Sequence, residues 1–356
     1  MKRAASMLHR WRLLPLFLLL PVVALLAVAS FRRVPRELRR GAEAAPGAWS
    51  PSVRFVDREG ALLREVRADD STRASWVSLR DVGPVVPLAI LAAEDRRFYL
   101  HGGVDPVAVT RAAIDDVLER RVVSGASTLT MQLARLVRPH PRTVLGKLDE
   151  MTLALAIEGE LPKEQILEEY MNRAPFGAGL RGLDSASHYY FDKAPSELSL
   201  AEAASLAAIP RGPDVYSMSK HPDRVLRRRD RILDRMRAAA LIDVDAWERA
   251  KTEPLHVLAR PGTFGAPHLT DALYQGRLDP ALGSLRGRAS VVTTTLARDL
   301  QGEIEATTLA TVRPLAARHV TAASVIVIDN ATGEVLAYVG SPSWADAANG
   351  GQNDGV

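Results

Sequence analysis

The chain has no cysteine in its 356 residues. That excludes disulfides, zinc-thiolate centres and thiol nucleophiles, and it is compatible with an oxidising compartment. Charge of either sign is barely in excess: 46 basic against 42 acidic residues leave a net +4. So mild a balance argues against a nucleic-acid partner and better suits an anionic membrane surface or a phosphate-bearing substrate. Internal repeats and low-complexity tracts are absent too, which sets solenoid and disordered readings aside. A hydrophobic fraction of 47% is ample for a core, and the length suffices for one large or two ordinary domains.

One stretch lacks charge altogether. From Leu13 to Phe31 nineteen residues, LLPLFLLLPVVALLAVASF, run without a charged side chain. At about 1.5 Å per residue such a helix nearly spans a hydrocarbon core of roughly 30 Å. Pro15 and Pro21 are tolerable there, the first near the helix start. Arginines and Lys2 flank the run on both sides, so charge counting does not fix its orientation. Ala27-Val28-Ala29 supports a rival reading, a cleaved signal peptide. Either way the bulk of the chain is expected outside the cytoplasm.

Residues 32–52 are rich in Pro, Gly and Ala and read as a linker. Val53–Val66 predicts two short strands around the turn Asp57-Arg58-Glu59-Gly60. From Val85 to about Ala250 helical spacing dominates. One stripe is Val107, Ile114, Val117 and Leu118, another Val144, Leu148, Met151 and Leu155. A third, Ile166, Leu167, Tyr170 and Met171, begins at Pro162, and a fourth covers 198–209 and stops at Pro210. Residues 254–290 read as loop-rich. VVTTTL (291–296) then leads into a helix, and 324–340 forms a hairpin turning at Asn330-Ala331-Thr332-Gly333.

Two strings carry chemistry. AEDRRFYLHGGVD (93–105) follows an apolar run and sets carboxylates where a helix ends. SGASTLTMQLAR (124–135) offers Ser127, Thr128, Thr130 and Gln132 as neutral donors, with cationic Arg135 at its end. A carboxylate base beside a cationic, hydroxyl-rich pocket can deprotonate a sugar hydroxyl and stabilise a departing phosphate. In a third string, RTVLGKLDE (142–150), Lys147 and Glu150 stand three apart, on one helical face.

Together these strings resemble the family 51 peptidoglycan glycosyltransferase domain of class A penicillin-binding proteins. PHPRT (139–143) with GK (146–147) and NRAPFG (172–177) is similar to their 1C branch. The resemblance implies a mainly α fold: a lysozyme-like helical glycosyltransferase domain after a single N-terminal transmembrane helix, followed by a truncated α/β transpeptidase start. The implied order is a cytoplasmic tail (1–12), an anchor (13–31), a linker (32–52), the glycosyltransferase domain (53–250), a linking region (251–321) and the transpeptidase start (322–356). Glu94 maps onto the general base and Glu150 onto a second essential carboxylate. Asp95, Phe98, His101, Ser127, Thr128, Gln132, Arg135, Lys147 and Arg181 map onto substrate or diphosphate contacts, His101 as support rather than catalyst. Arg135 stands where relatives usually carry Lys, and Gly146 where many carry Arg. A divalent cation, Mg²⁺ or Mn²⁺, is expected near Glu150. The implied partners are lipid II, the nascent glycan strand, the membrane and other cell-wall synthesis proteins, with no nucleic acid. The implied place is the cytoplasmic membrane, single-pass, with the catalytic domain on its outer, periplasmic face.

Other motifs are weaker. Residues 177–182 fit GxGxxG but lie in no βαβ unit. Ser217-Met218-Ser219-Lys220 fits Ser-x-x-Lys, yet lies in a loop before Pro222 without partner motifs. Asn330-Ala331-Thr332 fits a glycosylation sequon but is better read as the hairpin turn. Two other classes of function stay open: a lysozyme-like muramidase, and a weakly catalytic scaffold or wall-binding protein.

Overall fold

The computed structural model describes residues 32–35, 38, 52–67, 72–111, 127–141, 143–258, 264–278, 285 and 291–356. The apolar run Leu13–Phe31 and most of the linker after it lie outside these residues. Among the described residues no helix is long and apolar enough to cross a membrane.

Two units interleave along the chain. The first takes residues up to Ala45, Val77–Gly177 and Lys193–His256; the second takes Pro46–Trp76, Ala178–Asp192 and Val257–Val356. The stretch 53–250 thus contributes to both.

The first unit is helical. Its helices are α1 (Val85–Glu94), α2 (Leu129–Val137), α3 (Val144–Glu160), α4 (Lys163–Arg173), α5 (Leu200–Ala207), α6 (Pro222–Ala238) and α7 (Val244–Thr252), with a further helical stretch at 106–111. Helix α5 is almost wholly buried and packs against both α1 and α6. It starts on a capping box, Ser199 accepting from the Glu202 amide while the Glu202 carboxylate accepts from that of Ser199. Helix α2 packs on α3 and α4. Leu129, Leu133, Leu153 and Ile157 are fully buried there, each worth about 1.5–3 kcal/mol of transfer free energy. Around this core Glu158 Oε1 accepts from Thr130 Oγ1 at 2.6 Å and from Lys163 Nζ at 2.7 Å. Lys163 Nζ also donates to the His101 carbonyl at 2.7 Å, tying three helices to the loop after α1.

Three expectations need correction. The apolar stripe of α3 does not face the core: Val144 and Leu148 are exposed, and the buried face carries Gly146, Glu150, Leu153, Ala154 and Ile157. Periodicity misread the helix because its inward face holds a carboxylate. Val107 is likewise exposed, and its companions Ile114, Val117 and Leu118 lie outside the described residues. The loop-rich stretch 254–290 contains a helix, α8 (Pro267–Gln275), with proline at its first position. A proline there loses no helical hydrogen bond and starts the helix rather than breaking it.

The second unit holds three small sheets. β1 (Val53–Val56) pairs antiparallel with β2 (Leu62–Val66) and parallel with β5 (Val291–Thr293). The turn between β1 and β2 is the expected one, Asp57 accepting from the amides of Glu59 and Ala61. β3 (Arg73–Ala74) pairs with β4 (Leu180–Arg181), just ahead of the helix Leu183–Phe191. β6 (Val325–Ile328) and β7 (Val335–Val339) form the expected hairpin. α9 (Arg298–Val312) packs on β7, and the Gln301 amide bonds both the carbonyl and the N–H of Tyr338.

Candidate active site

Helix α1 runs apolar through Ala93 and leaves the core at Glu94 and Asp95. Asp95 turns toward the start of α2, accepting from the Leu129 amide at 2.9 Å and pairing with His101 Nε2 at 3.0 Å. Thr128 caps the same helix, accepting from the Met131 amide and donating to the Gly103 carbonyl at 2.6 Å. Gly103 has φ +93°, and a Cβ there would come within 2.7 Å of the Ala154 carbonyl oxygen. Only glycine fits. Residues 93–105 and 127–135 are therefore one structure, wired through the free N–H groups of a helix start.

Glu94 is 5% exposed and has both oxygens occupied. Oε1 accepts from Arg228 Nη2 at 2.9 Å and Oε2 from Gln132 Nε2 at 2.9 Å. The Gln132 amide is itself oriented, because its carbonyl oxygen accepts from the Tyr170 hydroxyl at 3.3 Å. Burial, and then the neighbouring Glu94 carboxylate, push the Tyr170 phenol well above its ordinary range, so it stays a donor. Arg228 stacks over the Tyr216 ring, 4.9 Å from its centroid. The carboxylate is thereby fixed at both oxygens.

Glu150 is 1% exposed. Its Oε1 accepts from Lys147 Nζ at 2.5 Å, and Lys147 also donates to Ser127 Oγ at 2.6 Å. Its Oε2 lies 3.2 Å from His140 Nε2. Helix α3 starts one turn earlier on Thr143, which accepts from the Gly146 amide at 3.0 Å. Lys147 keeps 39% of its side chain in solvent.

Both carboxylates thus reach the segment 127–132, Glu94 through Gln132 and Glu150 through Lys147 and Ser127. Four residues expected to touch substrate do not present themselves to it: Asp95, Phe98 and Thr128 are buried, and the His101 side chain is 1% exposed. Phe98 lies under the Lys163 ammonium, 4.2 Å from its ring centroid, and the other three bond one another or α2. Arg135 is exposed on the last turn of α2, and Arg181 belongs to the second unit, on β4.

Sequence reasoning missed Arg228, His140 and Tyr170 as site residues. A signal existed for the first: the buried face of α6 is Val225, Arg228, Arg229, Ile232, Leu233 and Met236, so two arginines occupy positions of an apolar stripe. A guanidinium in such a place needs a carboxylate partner.

The transglycosylase family model matches residues 59–237. The chain is 36% identical to penicillin-binding protein 1C of Escherichia coli K12 over 307 residues, 86% of this chain and 38% of that protein. It is 42% identical to penicillin-binding protein 1A of Aquifex aeolicus over 213 residues, 59% of this chain and 29% of that one. With penicillin-binding protein 1F of Bacillus subtilis it shares 38% identity over 58% of its own length and 29% of the relative's. It spans well under half the length of each relative. The matched residues contain Glu94, Gln132, Lys147, Glu150 and Arg228. The chain belongs to the transglycosylase family.

Proposed function

We propose that the chain is a peptidoglycan glycosyltransferase that polymerises lipid II into glycan strands and releases undecaprenyl diphosphate. The observation that carries the reading is the pair of buried carboxylates, each held by a cation and both reaching one hydroxyl-rich helix start. Glu94 takes the proton of the acceptor's GlcNAc 4-hydroxyl. A carboxylate has about four lone-pair sites, so its bonds to Gln132 and Arg228 leave capacity for that proton. The oxygen forms its bond to C1 of the donor MurNAc with inversion, and the C1–O bond electrons leave with the diphosphate. Lys147, with Arg135, meets that charge, and Glu150 and Ser127 hold the Lys147 ammonium in place.

The expected Mg²⁺ or Mn²⁺ at Glu150 does not fit this arrangement. Its two oxygens already face Lys147 and His140, and a dication there would displace an ammonium at 2.5 Å. Among the described residues no group of three or more His, Asp or Glu could hold a metal. In this reading Lys147 and Arg135 are the side-chain cations that meet the diphosphate charge.

A muramidase would need a protonated glutamic acid to donate to the leaving oxygen. Both Glu94 oxygens instead accept hydrogen bonds, from Arg228 and Gln132, an arrangement that suits a base better than an acid. Anchoring by Leu13–Phe31 at the cytoplasmic membrane, catalytic part outward, belongs to the same reading. Exposed Val144, Leu145 and Leu148 at the start of α3 suit a site that handles a lipid-linked substrate. Mature protein beginning near Ser30 would show cleavage instead of anchoring. The decisive assay incubates the full chain in detergent with labelled lipid II and resolves products by gel. Long strands are expected; cleavage of preformed wall would favour the hydrolase, and neither product would favour the scaffold.

A further inference from the structure

Arg32 is the first residue after the uncharged run Leu13–Phe31, and its guanidinium pairs with the Asp149 carboxylate on α3. The two side chains are 28% and 26% exposed, so solvent screens the pair only in part. Val34 and Leu38 are buried. The Leu38 carbonyl accepts from Gln165 Nε2 on α4 at 2.8 Å. The stretch read as a linker therefore begins by gripping α3 and α4, the two helices that pack on α2 and its Gln132.

What this contact sets is depth. Asp149 and Lys147 are two residues apart on α3, about 3 Å along its axis. In an anchored chain Phe31 ends the apolar run, and Arg32 stands at headgroup level with its charge in water. The diphosphate of a lipid-linked sugar lies at that same level, because its lipid ends there. The face of α3 that takes Arg32 agrees. Leu145, Leu148 and Asp149 share one side of the helix by their spacing, and both leucines are exposed.

We propose that Arg32 is a positioning residue for the transfer. With Asp149 it fastens the outer end of the membrane anchor to α3, and so holds Lys147 and Glu150 at the depth of the lipid-linked diphosphate. Its purpose rests on the glycosyltransferase and anchor readings, while the docking itself stands on Arg32, Leu38, Asp149 and Gln165. Arg32 touches no reacting atom. It acts through α3, and misplacing a catalytic group by a fraction of its reach is costly in rate.

The test uses the full chain in phospholipid vesicles that carry lipid II, as wild type, Arg32→Ala, Arg32→Lys and the exchange of Arg32→Asp with Asp149→Arg. Arg32→Ala is expected to lower polymerisation by about 10–100-fold. Its thermal midpoint should stay near wild type, since a partly exposed ion pair adds little stability. With a short-chain, water-soluble lipid II analogue, which has no depth to match, the loss should largely vanish. Arg32→Lys and the exchange should recover most of the rate. A near wild-type rate of Arg32→Ala in vesicles would overturn the proposal. So would an equal loss on both substrates, which marks a general disturbance of the fold, or a mature chain that lacks Leu13–Phe31.

A second readout needs no turnover. Because the chain has no cysteine, Arg32→Cys with Asp149→Cys offers a single pair to a short bis-maleimide, and mass spectrometry reads the linked peptide. A linked pair is expected. No link, with each cysteine labelled by a mono-maleimide, would overturn the docking. If the pair links but the chain does not turn over lipid II, the docking stands and the glycosyltransferase reading falls.

Discussion

Glu94 and Glu150 look alike in isolation: both are nearly inaccessible, and each has one cation against it. They differ in where their partners come from. Lys147 and His140 lie three and ten residues from Glu150, on its own helix and the loop before it. Arg228 lies 134 residues from Glu94, on α6, and Gln132 lies 38 residues away on α2. The partners differ in exposure as well. Arg228 is 8% exposed and Lys147 39%. The first pair is assembled by the tertiary fold and closed to solvent; the second is a local scaffold with a half-exposed ammonium. In the proposed reading, Glu94 takes the proton and Glu150 holds the cation that meets the diphosphate.

The comparison breaks first at Arg228. Arg228→Ala leaves a buried carboxylate without its cation and should destabilise the first unit by about 3–5 kcal/mol, measured by urea unfolding, and polymerisation should fall with it. Lys147→Ala should lower kcat by about 10²–10³-fold with a smaller loss in unfolding, because Lys147 is half exposed and Glu150 keeps His140 at 3.2 Å. If Lys147→Ala destabilises as much as Arg228→Ala, the two cations do not divide the work as described.

Asp184, in the second unit, is a largely covered carboxylate and sharpens the contrast, since it has partners but no assigned chemistry. Burial pushes its carboxyl up, but His188, Ser75 and Arg54 outweigh that and hold it below the usual range. Its folded value is depressed, so the stabilisation is present above the unfolded value and lost as pH falls through the folded one. Asp184→Asn should cost roughly 1.5–3 kcal/mol at pH 7. That gap should close below about pH 4, with kcat unchanged throughout. A constant gap across that range would remove the electrostatic explanation.

The smallest effect is expected at Ser217, which has the wording of a nucleophile and none of the wiring. Its Oγ lies 3.2 Å from Ser219 Oγ and accepts from the backbone N–H of Lys220 at 3.2 Å. Activation requires a basic side chain in reach. Incubation with a fluorescent penicillin should show no covalent band that Ser217→Ala removes, and that substitution should leave polymerisation unchanged.

The same contrast explains what was legible in the sequence. Glu150 and Lys147 were readable as a pair because helical spacing puts residues three apart on one face, and as site residues only through the family resemblance. The hairpins were readable from Asp57-Arg58-Glu59-Gly60 and Asn330-Ala331-Thr332-Gly333. Arg228 was not tied to Glu94 because no local spacing joins residues on helices so far apart in the chain. Its only trace was an arginine among the apolar positions of α6. The buried face of α3 was misread for a related reason: its inward positions include the polar Glu150 and Thr152, and apolar residues such as Val144 and Leu148 are left outside. Helix α8 was hidden by counting Pro267 as a breaker when its place at the first helical position makes it a start.

The most direct test of the central claim is polymerisation of lipid II by the full chain and by Glu94→Gln, with rates normalised to the folded fraction measured by circular dichroism. The normalisation matters because the substitution leaves the Arg228 guanidinium buried without its charge partner. Loss of a positioned base should lower kcat by about 10²–10⁴-fold with KM little changed. Turnover of folded Glu94→Gln within a fewfold of wild type would contradict the account and move the base elsewhere.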